Sequence, residues 1–154
     1  MASTLKDQIQ SDLTEAIRAQ DGTTVSTLRL VLTAVTRAET AGDEHVELDD
    51  DQVLAVIGTE VKRRVEAAAT YADAGREDRA VTERAEQAVL ERYLPAALSD
   101  DELATAVAEE VAAALAAGKE GKAATGVVIK AVRARAGAGT AGRRIADAVN
   151  AALA

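Results

Sequence analysis

The stretch Tyr93-Leu94-Pro95-Ala96-Ala97-Leu98-Ser99-Asp100-Asp101-Glu102 decides how this chain is organised. Pro95 lacks an amide hydrogen and its ring collides with the preceding turn, so a helix ends there. Ser99 followed three residues later by Glu102 has the form of a capping box, which opens a new helix. A stop and a fresh start this close together mark a boundary. The chain therefore divides into an N-terminal helical bundle over 1–95 and a smaller helical module over 99–154.

Apolar periodicity extends this reading in both directions. Upstream of Pro95, Val81, Ala85, Ala88, Val89 and Tyr93 make the inward face of a fourth helix, and Gly75 separates it from a third. Leu54, Ile57, Val61, Val65 and Ala68 line that third helix, whose start carries a capping box of Asp49 and Gln52. An acidic loop from Gly42 to Asp51 precedes it. Val25, Leu28, Leu32 and Val35 define a second helix, and Leu5, Ile9, Leu13 and Ile17 a first, from about Ser3 to Gln20. Downstream, Leu103, Val107, Val111 and Leu115 mark the fifth helix. Two more follow, over Gly121–Ala136 and Thr140–Ala152, with Val128, Val132, Ile145, Val149 and Leu153 facing inward. The expected fold is all-α, with four helices and then three.

Composition agrees. The 154 residues are 48% hydrophobic but contain no Phe or Trp and only two Tyr, so the core must be aliphatic. Strong helix formers dominate and β-branched alternation is absent. Without cysteine there is no disulfide framework, thiolate metal site or thiol nucleophile. No apolar run reaches membrane length and the first residues do not form a signal peptide, so a cytoplasmic protein is expected.

The net charge of −8 ordinarily argues against nucleic acid, but its distribution is uneven. Residues 1–117 carry 11 Lys/Arg against 24 Asp/Glu, whereas 118–154 carry 7 against 2. An acidic body with a basic end points to a polyanionic partner, or to a solvated face that merely offsets the acids. Helix-borne Lys130, Arg133, Arg135, Arg143 and Arg144 are the candidate contacts to phosphate.

Other motifs carry less. Gly137-Ala138-Gly139-Thr140-Ala141-Gly142 has the glycine spacing of a dinucleotide-binding turn, but a helical segment precedes it and no acidic residue follows at the required distance. It reads as a helix–helix turn, or as exposed amides that hold a phosphate beside Arg143 and Arg144. Gly118-Lys119-Glu120-Gly121-Lys122 lacks the spacing and hydroxyl of a P-loop. His45, the sole histidine, falls in the acidic loop and reads as solvated. Lys62, Arg63, Arg64, Arg76, Arg79 and Arg84 interleave with acids as intrahelical ion pairs. Tyr71 and Tyr93 fall on or beside apolar stripes and read as packing residues. No constellation for catalysis, metal or cofactor emerges.

The run Tyr71…Ala74-Gly75-Arg76-Glu77-Asp78…Ala80…Glu83…Glu86…Leu90…Tyr93-Leu94-Pro95…Leu98-Ser99…Glu102 resembles the GatB/YqeY family, as does Leu28-Arg29…Leu32…Ala34…Glu39. The likeness covers nearly the full chain. It implies a helical bundle joined to a small module similar to the tail of the aspartyl/glutamyl-tRNA amidotransferase B subunit, which helps engage tRNA. The kinase-like body and the glutamine-hydrolysing subunit of that enzyme have no counterpart here. Any carbon–nitrogen ligase activity would be inherited by association alone. Where the family usually carries Gly-Arg-Ala-Asp-Gly, this chain has Ala138-Gly139-Thr140-Ala141-Gly142, without the Arg and Asp. The expectation is a non-catalytic accessory protein whose C-terminal module binds tRNA or another structured RNA, with neither DNA nor membrane as partner. The alternatives are a protein–protein interaction module and an accessory part of a glutamine-dependent ligase.

Overall fold

The computed structural model describes residues 2–154. Seven α-helices account for the regular structure among them, without a strand. They are α1 (Leu5–Arg18), α2 (Gly22–Glu39), α3 (Asp50–Asp73), α4 (Glu77–Glu91), α5 (Asp100–Ala116), α6 (Gly121–Ala136) and α7 (Gly142–Leu153). A 3₁₀ turn, Gly137–Gly139, precedes α7. Helix packing separates the residues up to Leu94 from Pro95–Ala154.

Local chemistry sets the helix ends. Asp49 with Gln52 and Ser99 with Glu102 both form full capping boxes, and Thr4 with Asp7 forms a third. Each satisfies amides that the first turn of a helix leaves without partners. After α3, Gly75 adopts a φ of +74°, which a residue with a Cβ resists.

In the first unit Ile9, Leu28, Val31, Val35, Val53, Ile57, Val89 and Leu90 form the buried centre. The faces differ in part from the apolar stripes. Ile17, Val65 and Val81, expected inward, are about half exposed at 49%, 46% and 56%. On α3 the buried positions are Val53, Ile57, Glu60, Arg64 and Ala68. Arg64 is therefore no surface ion pair. Its guanidinium lies between Glu60, one turn earlier, and Glu86 of α4, at 3.2 Å from Nε. Two charged residues hold core positions because each supplies the other's counter-charge and α4 supplies a third.

Buried polar groups also tie the remaining elements of this unit. Glu39 at the end of α2 is 2% exposed and accepts from Lys6 Nζ at 2.8 and 2.9 Å and from the Leu48 amide at 3.3 Å. The Lys6 hydrogen bond holds its carboxyl below the usual range despite burial. The acidic loop is thereby pinned at Leu48. Tyr93, just past α4, donates its hydroxyl to Asp12 of α1 at 2.5 Å, which makes it a packing residue with a polar tip.

In the second unit Leu103, Ala106, Val107, Ala114, Val128, Val132, Ala136, Ile145 and Val149 pack together, while Leu115 points out at 53% exposure. The start of α7 falls at Gly142, two residues later than the apolar pattern suggests, because the 3₁₀ turn consumes Gly137–Gly139. Pro95 belongs with this unit. A Cβ on Gly139 would overlap the Pro95 carbonyl oxygen, so the backbone of the Pro95–Ser99 strap lies directly on the α6–α7 turn. Two hydrogen bonds fix it there. The Leu98 amide donates to Thr140 Oγ1 at 2.9 Å, and Arg144 Nη1 donates to the Leu98 carbonyl at 2.6 Å.

Candidate nucleic-acid interface

The five candidate cations fall into two groups. Arg135 and Arg144 are engaged within the module. Arg135 Nη2 lies 2.7 Å from Glu109 and its Nη1 3.2 Å from Glu110, both on α5, and these carboxylates raise its pKa further. Besides holding Leu98, Arg144 pairs through Nη2 with Asp100 at 2.7 Å.

Lys130, Arg133 and Arg143 stand apart from these pairs. The buried positions of α6 are Ala124, Val128, Val132 and Ala136. Lys122, Lys130 and Arg133 follow one another at helical spacing on the exposed side, and among the described residues none has a carboxylate partner. The Arg133 guanidinium reaches the first residue of α7, where a Cβ on Gly142 would lie 3.1 Å from its Nη2. Arg143 is next in the chain, its side chain 93% exposed and 4.0 Å from Asp147, at the outer limit of an ion pair. The α7 N-cap, Ala141, supplies no side-chain acceptor. Cations beside the positive end of a helix repel it and one another, and an anion there relieves both.

The glycine-rich loop has a structural task. It follows a helix, so the dinucleotide fingerprint lacks its strand, and Gly139 and Thr140 are occupied by the Pro95–Ser99 strap. Pro95 with the strap that follows it and the altered family loop are thus two sides of one contact. Sequence periodicity gave no sign of it, because the partners are some forty residues apart.

The charge asymmetry also changes when counted by structural unit. Residues 1–94 carry 11 Lys/Arg against 19 Asp/Glu, a net −8, whereas 95–154 carry 7 against 7. The module is neutral overall and bipolar. Asp100, Asp101, Glu102, Glu109 and Glu110 of α5, with Glu120 and Asp147, balance the seven cations that follow α5.

Fold and site together define a two-unit, all-α protein with a cationic face on its C-terminal three-helix unit. Residues 6–153 match the family model described as "Yqey-like protein", and the chain belongs to this YqeY-like family. A search of curated proteins finds no match. No helix among the described residues is long and apolar enough to cross a membrane.

Proposed function

We propose that this protein is a non-catalytic accessory factor that binds tRNA or another structured RNA through the phosphate-facing side of α6 and the start of α7. The observation that carries the reading is the set Lys130, Arg133 and Arg143, cations left without a strong internal partner while Arg135 and Arg144 are paired. Recognition is of backbone and shape. Both tyrosines lie before residue 95, so the module has no aromatic surface on which unpaired bases could stack. Leu115 and Val127 are its exposed large apolar residues, which is ordinary for a surface and gives no separate support to a protein-docking role. A part in a glutamine-dependent carbon–nitrogen ligase rests on family resemblance and adds no residue to this reading.

The test is titration of a tRNA pool at several salt concentrations. Counterion release makes log K fall linearly with log salt, and replacing Lys130, Arg133 and Arg143 by Ala lowers the slope by about 2–3. Unchanged binding by the triple variant would sink the site. Absence of binding by the wild type at low salt would sink the reading itself.

A further inference from the structure

We infer that the outward face of α2 is a second phosphate-contacting surface, formed by Arg29, Thr33, Thr36, Arg37 and Thr40 and fitted to the backbone of a base-paired RNA. The inference rests on the RNA-binding reading above and extends it to the first unit.

The first observation is compositional. Residues 1–94 are strongly acidic, yet the 18 residues of α2 include a single acid, Glu39. That carboxylate is buried and neutralised by Lys6. The solvent side of α2 therefore presents no negative charge in a unit otherwise dominated by it.

The second is geometric. Arg29, Thr33, Arg37 and Thr40 recur at steps of four, four and three residues, with Thr36 between, so all five share one exposed face. Among the described residues neither Arg29 nor Arg37 pairs with a carboxylate. Leu32, Thr33, Thr36, Arg37 and Thr40 border a shallow groove of about 480 Å³. The two guanidinium groups arise about 12 Å apart along the axis, too far for one small ion to bridge and about two phosphate steps along a single strand.

The third is chemical. Guanidinium and hydroxyl groups are the side chains that contact nucleic-acid phosphates most, and they do so without base recognition. The Thr33 and Thr40 hydroxyls donate to Arg29 and Thr36 carbonyls at 2.9 Å, and their rotors are free to turn toward an incoming oxygen. The Thr36 hydroxyl has no such bond. An acidic protein partner would want apolar anchors beside the arginines, and among the described residues of α2 Leu30 is the one exposed large apolar side chain, with Leu32 half-buried at the groove.

The experiment compares wild type, R29A/R37A and R29K/R37K in salt-dependent titrations of a tRNA pool, with R18A/R79A as a control of equal charge change. The expected result is a slope lower by about two in R29A/R37A, with R29K/R37K close to wild type. An unchanged slope in R29A/R37A with tRNA binding intact overturns the inference and leaves the α6–α7 reading standing. An equal fall in R18A/R79A also overturns it, because net charge and not the α2 face would then be responsible. Absence of wild-type binding removes both readings. Thermal unfolding of each variant, expected to match wild type because these side chains are exposed, excludes misfolding as the cause.

Discussion

Two glycines show how much one Cβ decides. Gly139 lies against the Pro95 carbonyl, backbone on backbone, so neither side can yield cheaply. Gly139→Ala should cost about 2–3 kcal/mol, as a steric conflict in a packed turn does. Gly126, inside α6 with open space around it, should behave in the opposite way. Gly126→Ala removes backbone freedom from the unfolded chain and should stabilise by roughly 0.5–1 kcal/mol. Urea unfolding followed by circular dichroism reads both, and a neutral Gly139→Ala would mean that the strap does not bear on the turn. Tyr93 makes a pH-dependent case. Burial first, and then the Asp12 carboxylate, push its pKa above the ordinary phenol value. The folded chain keeps this proton where the unfolded chain releases it, so the stabilisation is full below about pH 10 and is lost as pH rises further. Tyr93→Phe should be less stable than wild type near neutrality, with the gap closing as pH rises from about 10 toward 12. A gap constant across that range would show that the phenol does not titrate differently in the two states.

At the scale of elements, the joint between α3 and α4 sets an ionic cluster into a seam that was expected to be wholly apolar. Arg64 is 8% exposed; Glu86 depends on it for counter-charge, and Glu60 shares it with the more exposed Arg63. Arg64→Met should destabilise by about 3 kcal/mol, because Glu86 loses its counter-charge and Glu60 keeps only Arg63. Replacing all three with Leu or Met should recover most of that loss, since well-packed apolar residues commonly match a buried ion cluster. Equal thermal midpoints for Arg64→Met and wild type would show that water reaches the cluster freely. This joint also marks the limit of what the sequence discloses. Helix number was legible, and so were the starts of α3 and α5, because capping boxes and Pro95 act within four residues of themselves. Inward faces were legible where apolar residues alone fill them, as with Val128, Val132, Ile145 and Val149. On α3 the apolar stripe pointed to Val65, because the partner that lets Arg64 enter the core lies on another helix, 22 residues away.

For the whole molecule, charge matters by arrangement more than by sum. The basic residues of 118–154 were legible as residue types, but their partners on α5 were not, and those partners divide them by task. Arg135 and Arg144 hold α5 and the strap to the later helices, and Arg144 does so with a hydrogen bond to a carbonyl as well as an ion pair. Hydrogen bonds made by charged groups contribute about 1.5–3 kcal/mol when partly shielded from water. Arg135→Ala with Arg144→Ala should therefore lower the unfolding midpoint while leaving the salt slope of the proposed tRNA binding close to wild type at a temperature where the variant is folded. Lys130, Arg133 and Arg143 should do the reverse, lowering the slope with little effect on the midpoint, because no internal contact of comparable strength is lost. Measuring both quantities on both sets separates holding the module together from holding a partner. If the Arg135 and Arg144 variant lost the salt slope in proportion to its charge, the two sets would form one diffuse basic field, and the division drawn from the ion pairs would fail.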